Sequence, residues 1–300
     1  MERAENISRL VEVGYRIALL PGSSEGSHGE WRSMLQSAAC LSAYEDRKGP
    51  LRTKHVIDYM LFDADNPSSV ASCLAMARRN GRAQRTALTK DMWECLNESW
   101  LEFSKIKPAS VTSDSLPVLL NWIRGRSSLY RGALLNTVLR NDTFYFSQLG
   151  TFIERADSTS RILDVKYYHL LPANELVGGE TDNMQWGAIL RSVSAHRSYR
   201  WVYKDNYKPW QIAEYLILSR QMPRSLRSCY DEIMLALGEL GHLYRERQSC
   251  HATAEVTRDL LLDTGIEGIF ATGLHEFVQG MICRNNRLGR ELSEDYHFTD

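Results

Sequence analysis

The sequence predicts an all-α chain, a tandem duplication of a multi-helix unit packed as a helical bundle. Three observations carry that reading. A Glu-Arg stretch occurs twice. A Tyr, Pro, Ser and Cys pattern also occurs twice, in the same order. Apolar residues recur at three-to-four spacing, and no clear strand-like alternation is found.

The first repeat pairs Glu2-Arg3-Ala4-Glu5-Asn6-Ile7-Ser8-Arg9-Leu10-Val11-Glu12-Val13 with Glu154-Arg155-Ala156-Asp157-Ser158-Thr159-Ser160-Arg161-Ile162-Leu163-Asp164-Val165. Glu, Arg, Ala, Ser, Arg and Val are identical. Glu5/Asp157, Leu10/Ile162, Val11/Leu163 and Glu12/Asp164 keep their character. The second copy reads as a long helix. Leu149, Phe152, Ala156, Leu163 and Tyr167 form its apolar stripe, and Glu154, Asp157, Arg161 and Asp164 form a second line. Asn141 or Asp142 caps it and Pro172 stops it, giving roughly 30 residues and about 45 Å. Gly150 inside it suggests a closely approaching neighbour.

In chain order, a first helix runs from Met1 to about Leu20 and stops at Pro21-Gly22. A polar loop spans Gly22 to Gly29. Trp31, Leu35, Ala38, Ala39 and Leu41 give a helix ending near Tyr44, echoed by Trp186, Leu190, Val193 and Tyr199. Lys48-Gly49-Pro50 is a turn.

The second repeat pairs Tyr59, Pro67, Ser69, Ser72 and Cys73 with Tyr215, Pro223, Ser225, Ser228 and Cys229. Asp65 or Asn66 before Pro67 is a helix start. Cys73 and Cys229 read as small buried hydrophobes. One helix is expected from Pro67 to about Phe103. On it Arg78, Arg82 and Arg85 stand at i, i+4 and i+7, with Arg79 beside them. The second copy lacks this stripe, so it is either a solvated face or a binding feature. Gly81 within it suggests close approach.

Lys105 to Ser113 is a linker. Asp114 or Ser115 caps a helix to Val138. Val177 to Glu180 is a loop, and helices follow at about 184–203, 209–220, 223–247 and 251–291. Tyr296-His297-Phe298 resembles Phe144-Tyr145-Phe146. The repeat offset runs from 152 (Glu2 to Glu154) to 156 (Cys73 to Cys229), so the two copies are 1–141 and 142–300.

At 300 residues and 43% hydrophobic content, the chain can bury a large core. A net charge of -1 argues against a nucleic-acid binder. Arg outnumbers Lys 28 to 8, which favours bidentate grips on carboxylate or phosphate, or else reflects codon bias. Six Cys without CxxC spacing, no signal peptide and no spanning apolar run point to the cytoplasm and away from a membrane. No phosphate loop, HExxH, paired ExxH, GxSxG or Cys-His signature is present. No cofactor or metal is expected, and His169, His196 and His275 read as satisfied core or surface residues.

The doubled Glu-Arg motif and the Tyr-Pro-Ser-Cys pattern resemble the bacterial alpha-E domain family over essentially the whole chain. So do Met76-Ala77-Arg78-Arg79-Asn80-Gly81-Arg82 and Met92-Trp93-Glu94 with Leu96-Asn97. The resemblance implies an all-helical protein of no established activity, with Glu2, Arg3, Glu154 and Arg155 as signature residues. It also implies a setting beside ATP-grasp-like ligases and transglutaminase-like proteins, and hence a peptide synthesis or modification system. In the family a half-helix precedes the first Glu-Arg, as Phe144 to Ile153 does in the second copy. The first copy is therefore expected to be N-terminally incomplete.

Two readings follow. In one, Glu2, Arg3, Arg9, Glu154, Arg155 and Arg161 pin helices together in ion-paired networks, Arg161 being the expected partner of Glu154. The protein is then a non-catalytic partner of an ATP-grasp-type ligase. In the other, the two Glu-Arg helices present these groups to a peptide or amino-acid ligand between the copies, as an enzyme would. The Arg78, Arg82 and Arg85 stripe is a candidate contact for a ligand or partner in either case.

Overall fold

A computed structural model describes residues 1–19, 28–48, 50–168, 179–204 and 207–298. Among them are fifteen α-helices, one 3₁₀ turn and no strand. The expected stop at Pro21-Gly22, most of the Gly/Ser loop, Gly49, His169, Pro172 and Val177-Gly178 lie outside the described residues. None of the described helices is long and apolar enough to cross a membrane.

The chain divides into two compact units, Met1–Phe144 and Tyr145–Asp300. The first holds α1 (Glu2–Ala18), α2 (His28–Ser37), α3 (Leu41–Lys48), α4 (Thr53–Leu61), α5 (Val70–Ala83), α6 (Lys90–Phe103), a 3₁₀ turn (Pro108–Ser110) and α7 (Leu116–Thr137). At its centre lies α1, packed against α2, α4, α5 and α7. Leu10, Val11 and Val13 of α1 are buried with Trp31, Met34 and Leu35 of α2 and Leu120 and Ile123 of α7. A helix enclosed by four neighbours has little solvent-facing side, so its polar residues go inward and need partners.

The second unit holds most of α8 (Asp142–Tyr168), then α9 (Glu180–Ser192), α10 (His196–Tyr203), α11 (Pro209–Ile217), α12 (Leu226–Tyr244), α13 (Ser249–Asp263), α14 (Ile266–Thr272) and α15 (Leu274–Asp295). Here α13 packs on both α12 and α15, and α11 on α9, α10, α12 and α14. Trp186, Tyr199, Tyr215 and Cys229 are buried, as are Trp31, Tyr44, Tyr59 and Cys73 at the repeat-related positions of the first unit.

Several expected long helices are broken, each for a local reason. The stretch after Pro67 becomes helical only at Val70, because Ser69 is the cap. Its Oγ accepts the Ser72 N–H at 3.1 Å. Asn66 instead closes a turn, accepting the Ser68 N–H at 3.0 Å and donating to the Tyr59 carbonyl at 3.1 Å. Ser225 repeats the cap, accepting the Ser228 N–H at 3.0 Å. The expected continuous helix to Phe103 ends at Ala83 and restarts at Lys90, where Thr89 accepts the Met92 N–H at 3.3 Å. A left-handed residue, Ala39 at φ 55°, separates α2 from α3, and Ser194 at φ 59° separates α9 from α10. The stretch expected as one helix from 251 to 291 is three helices, divided at Thr264-Gly265 and at Gly273. Gly273 has φ 103°, which only glycine adopts without strain.

The two glycines singled out in the sequence, Gly81 and Gly150, behave differently. A Cβ on Gly81 would stand 2.7 Å from Leu96 Cδ1 and 3.3 Å from Leu88 Cδ1, so close approach there is real. At Gly150 no described residue lies within 4 Å of such a Cβ, so the expected close neighbour is not found among the described residues.

Candidate functional site

In the first unit the Glu-Arg stretch builds an ion network on the buried line of α1. Arg9 reaches back one turn to Glu5, with Nη2 and Nε donating to Oε1 at 2.7 and 3.0 Å. From α7, Arg131 Nη1 donates to the other Glu5 oxygen at 2.5 Å, to Glu2 Oε2 at 2.7 Å and to Ser127 Oγ at 2.9 Å. The Glu5 side chain is 0% exposed. A carboxylate so enclosed is tolerated because both of its oxygens accept charge-assisted hydrogen bonds. Burial pushes the Arg9 guanidinium below its ordinary value, and Glu5 opposes that shift.

One turn further along, Glu12 accepts from Arg16 at 2.7 Å and from Arg124 of α7. Arg124, Ser127 and Arg131 stand at i, i+3 and i+7, so one face of α7 serves the whole line. Arg3 lies on the exposed side of α1, outside this line, because adjacent helical residues point about 100° apart.

The second unit uses the same positions with different chemistry. Asp157 and Arg161, aligned with Glu5 and Arg9, pair at 2.6 Å. The i,i+4 spacing brings these two groups together. Glu154 is half-buried. Arg155 is buried, its guanidinium carbon 5.0 Å from the centroid of the Phe152 ring. Asp164, aligned with Glu12, is gripped by α15. His275 Nδ1 donates to Oδ1 at 2.6 Å, in the tautomer a carboxylate partner favours, and Gln279 Nε2 donates to Oδ2 at 2.7 Å. Burial pushes the Asp164 carboxyl above its ordinary range, against the pull of His275 and Gln279. Farther along, Lys166 pairs with Asp182 at 2.6 Å, and burial lowers its ammonium pKa.

The Arg stripe is less regular than its spacing suggests. Arg85 falls beyond the end of α5. It donates to the Leu88 carbonyl at 3.3 Å and lies 5.7 Å over Trp93. Arg78 donates to Asn97 Oδ1 at 2.8 Å, which ties α5 to α6. Arg82 is exposed and makes no ion pair among the described residues.

Sequence reasoning missed Arg124, Arg131 and Gln279, and it read His275 as a satisfied core or surface residue without naming Asp164 as its partner. Their one-face spacing, seven apart on α7 and four apart on α15, was the available signal, but the same spacing describes a solvated face. Among the described residues no group of His, Cys, Asp and Glu is placed to hold a metal ion. Burial raises the thiols of Cys95 and Cys250, which disfavours thiolate chemistry there.

Fold and site together define an all-helical protein in which Glu2, Glu5 and Arg9 of the first Glu-Arg stretch are tied by Arg131 into a buried ion network. The chain belongs to the Alpha-E family, described as a predicted alpha-helical domain with a conserved ER motif, whose model matches residues 1–297. No curated protein matches the chain. No solved structure matches it either.

Proposed function

We propose that this protein is a non-catalytic partner of an ATP-grasp-type ligase in a bacterial, cytoplasmic peptide synthesis or modification system. It would be built from two copies of one helical unit, 1–141 and 142–300. The observation that supports this reading is the Glu5 carboxylate. Both of its oxygens are taken by Arg9 and Arg131, and its side chain is fully enclosed. A group so committed stabilises an architecture and is not offered to a substrate. The exposed Arg82, beside Arg85, supplies a cationic contact for a partner's carboxylates. A transglutaminase-like protein is a second partner in the same system.

The test is co-purification with the adjacent ligase, followed by assay of each protein alone and of the pair with ATP and amino acids. Complex formation with ligation only in the pair is the expected result. Product formation by this chain alone contradicts it.

The alternative is a peptide- or amino-acid-modifying enzyme, and one contact favours it. A buried carboxylate, Asp164, fixes Nδ1 of His275, as a general-base histidine is held. His275→Asn would then abolish product formation in the pair while leaving the complex intact.

A further inference from the structure

Three arginines of the second unit converge on one carboxylate. Arg227 and Asp231 stand on α12, Arg258 on α13, and Arg220 on the loop that leads into α12. Asp231 Oδ1 accepts from Arg258 Nε at 3.0 Å and from Arg227 Nε at 3.2 Å, and Oδ2 accepts from the same Arg227 nitrogen at 3.2 Å. Arg220 Nε lies 3.9 Å from Oδ2. Among the described residues, the only further carboxylate within 4 Å of these guanidiniums is Asp259, 3.8 Å from Arg258 Nη1.

The arginines are under-used. A guanidinium carries five N–H donors. Arg227 and Arg258 give hydrogen bonds through Nε alone, and Arg220 gives none among the described residues. Arg227 and Asp231 form a sheltered floor, with side chains 15% and 23% exposed, while Arg220 stands outside at 84%.

The fold does not ask for these charges. Ser225 and Cys229 align with Ser69 and Cys73 of the first unit. On that register Arg220, Arg227 and Asp231 fall on Ala64, Ala71 and Ala75. The helix α5 forms from the same serine cap with an alanine at each helical position. Moreover, Arg227 lies in the first turn of α12, where the helix dipole disfavours a cation. In its i,i+4 pair the cation precedes the carboxylate, which is the weaker order. Neither choice is one that helix stability favours.

We propose that this cluster binds the phosphoryl group of a phosphate monoester, carried by a small molecule or by a phosphorylated side chain. Asp231 holds Arg227 and Arg258 side by side, their Nη groups take the phosphoryl oxygens, and Arg220 closes over them from the loop. A lone carboxylate offers two oxygens in one plane and is satisfied by a single fork. Three guanidiniums from three chain segments suit a tetrahedral group with three terminal oxygens and a charge near -2.

Isothermal titration of the full chain tests this, with no ligase present, so the outcome is independent of the proposed partnership. The probes are phenyl phosphate, a short phosphoserine peptide, the diester methyl phenyl phosphate, and benzoate. Saturable binding of one or both monoesters is expected, with the diester and benzoate weaker by about tenfold or more. The stronger monoester identifies the source. Arg227→Gln and Arg258→Gln should each weaken it by about tenfold or more. Arg247→Gln, at an arginine paired with Glu255 outside the cluster, should bind as the unaltered chain does. Melting curves confirm folding. Should an inner variant not fold, Arg220→Glu decides the matter, since that exposed side chain can be reversed in charge without touching the core, and it too should weaken binding about tenfold. No saturable binding of either monoester, equal binding of the diester or benzoate, or folded arginine variants of the cluster that bind as the unaltered chain does would overturn the proposal.

Discussion

Arg131 on α7 donates to Glu5 on α1 at 2.5 Å, across 126 residues of chain. That contact fixes the central helix of the first unit against its longest neighbour. It also explains why a helix buried on nearly every side carries glutamates. Ser127, one turn earlier on α7, shares the same guanidinium nitrogen, so the register between the two helices is set as well as their distance.

Two glycines give opposite predictions. Gly150→Ala should raise the unfolding free energy by up to about 1 kcal/mol, since a Cβ there meets no described residue within 4 Å and alanine is the better helix former. Gly81→Ala should lower it by about 1–2 kcal/mol, because the buried Leu96 must leave its rotamer to admit a methyl group. Urea denaturation of both variants checks the pair.

The Arg stripe separates into a structural and a surface part. Arg82→Gln should leave the melting curve nearly unchanged, as exposed charges are worth about 0–1 kcal/mol. Arg78→Leu should cost about 1 kcal/mol, since it removes the hydrogen bond to Asn97 between α5 and α6. If Arg82 contacts the ligase, Arg82→Gln should also weaken the complex in a pull-down with purified proteins.

What was legible in the sequence follows from the range of the forces involved. Helical periodicity and the doubled Glu-Arg stretch are local, and they mark the all-helical class and the helices α1 and α8 that carry the stretch. The cap at Ser69 was hidden by a stronger-looking signal, since Asn66-Pro67 is itself a good helix start. Asn66 is consumed by a turn that depends on the Tyr59 carbonyl, a contact periodicity does not encode. The breaks at Ala39 and Ser194 leave no glycine to mark them. The network partners were harder still. Arg131 and Glu5 meet only once α1 and α7 are packed, and nothing local distinguishes Arg131 from an arginine in water.

The pH dependence of stability should carry a signature of Asp164. Burial, the largest influence, raises its carboxyl pKa, so the folded protein favours the protonated form more than the unfolded chain does. The resulting stabilisation is complete below the ordinary carboxylate range and is lost as the pH rises through the elevated folded value. Asp164→Asn cannot ionise and should lack this loss. Urea unfolding across about pH 3 to 7 should show the unaltered protein falling relative to the variant as the pH rises. Parallel curves would place the ionised carboxylate in an environment no worse than water.

The network claim is tested most directly by equilibrium denaturation of Arg131→Met, Glu5→Gln and the double variant. Removing one partner from an enclosed ion pair leaves the other charge unsatisfied, at a cost of about 3–5 kcal/mol. Arg131→Met should sit near the lower bound, about 3 kcal/mol, because its side chain is 22% exposed. The double variant should cost clearly less than the sum of the two singles, which marks direct coupling. A structural latch requires that pattern. Arg131→Met unfolding at the same denaturant concentration as the unaltered protein would contradict it and free the Glu-Arg line for a role in binding.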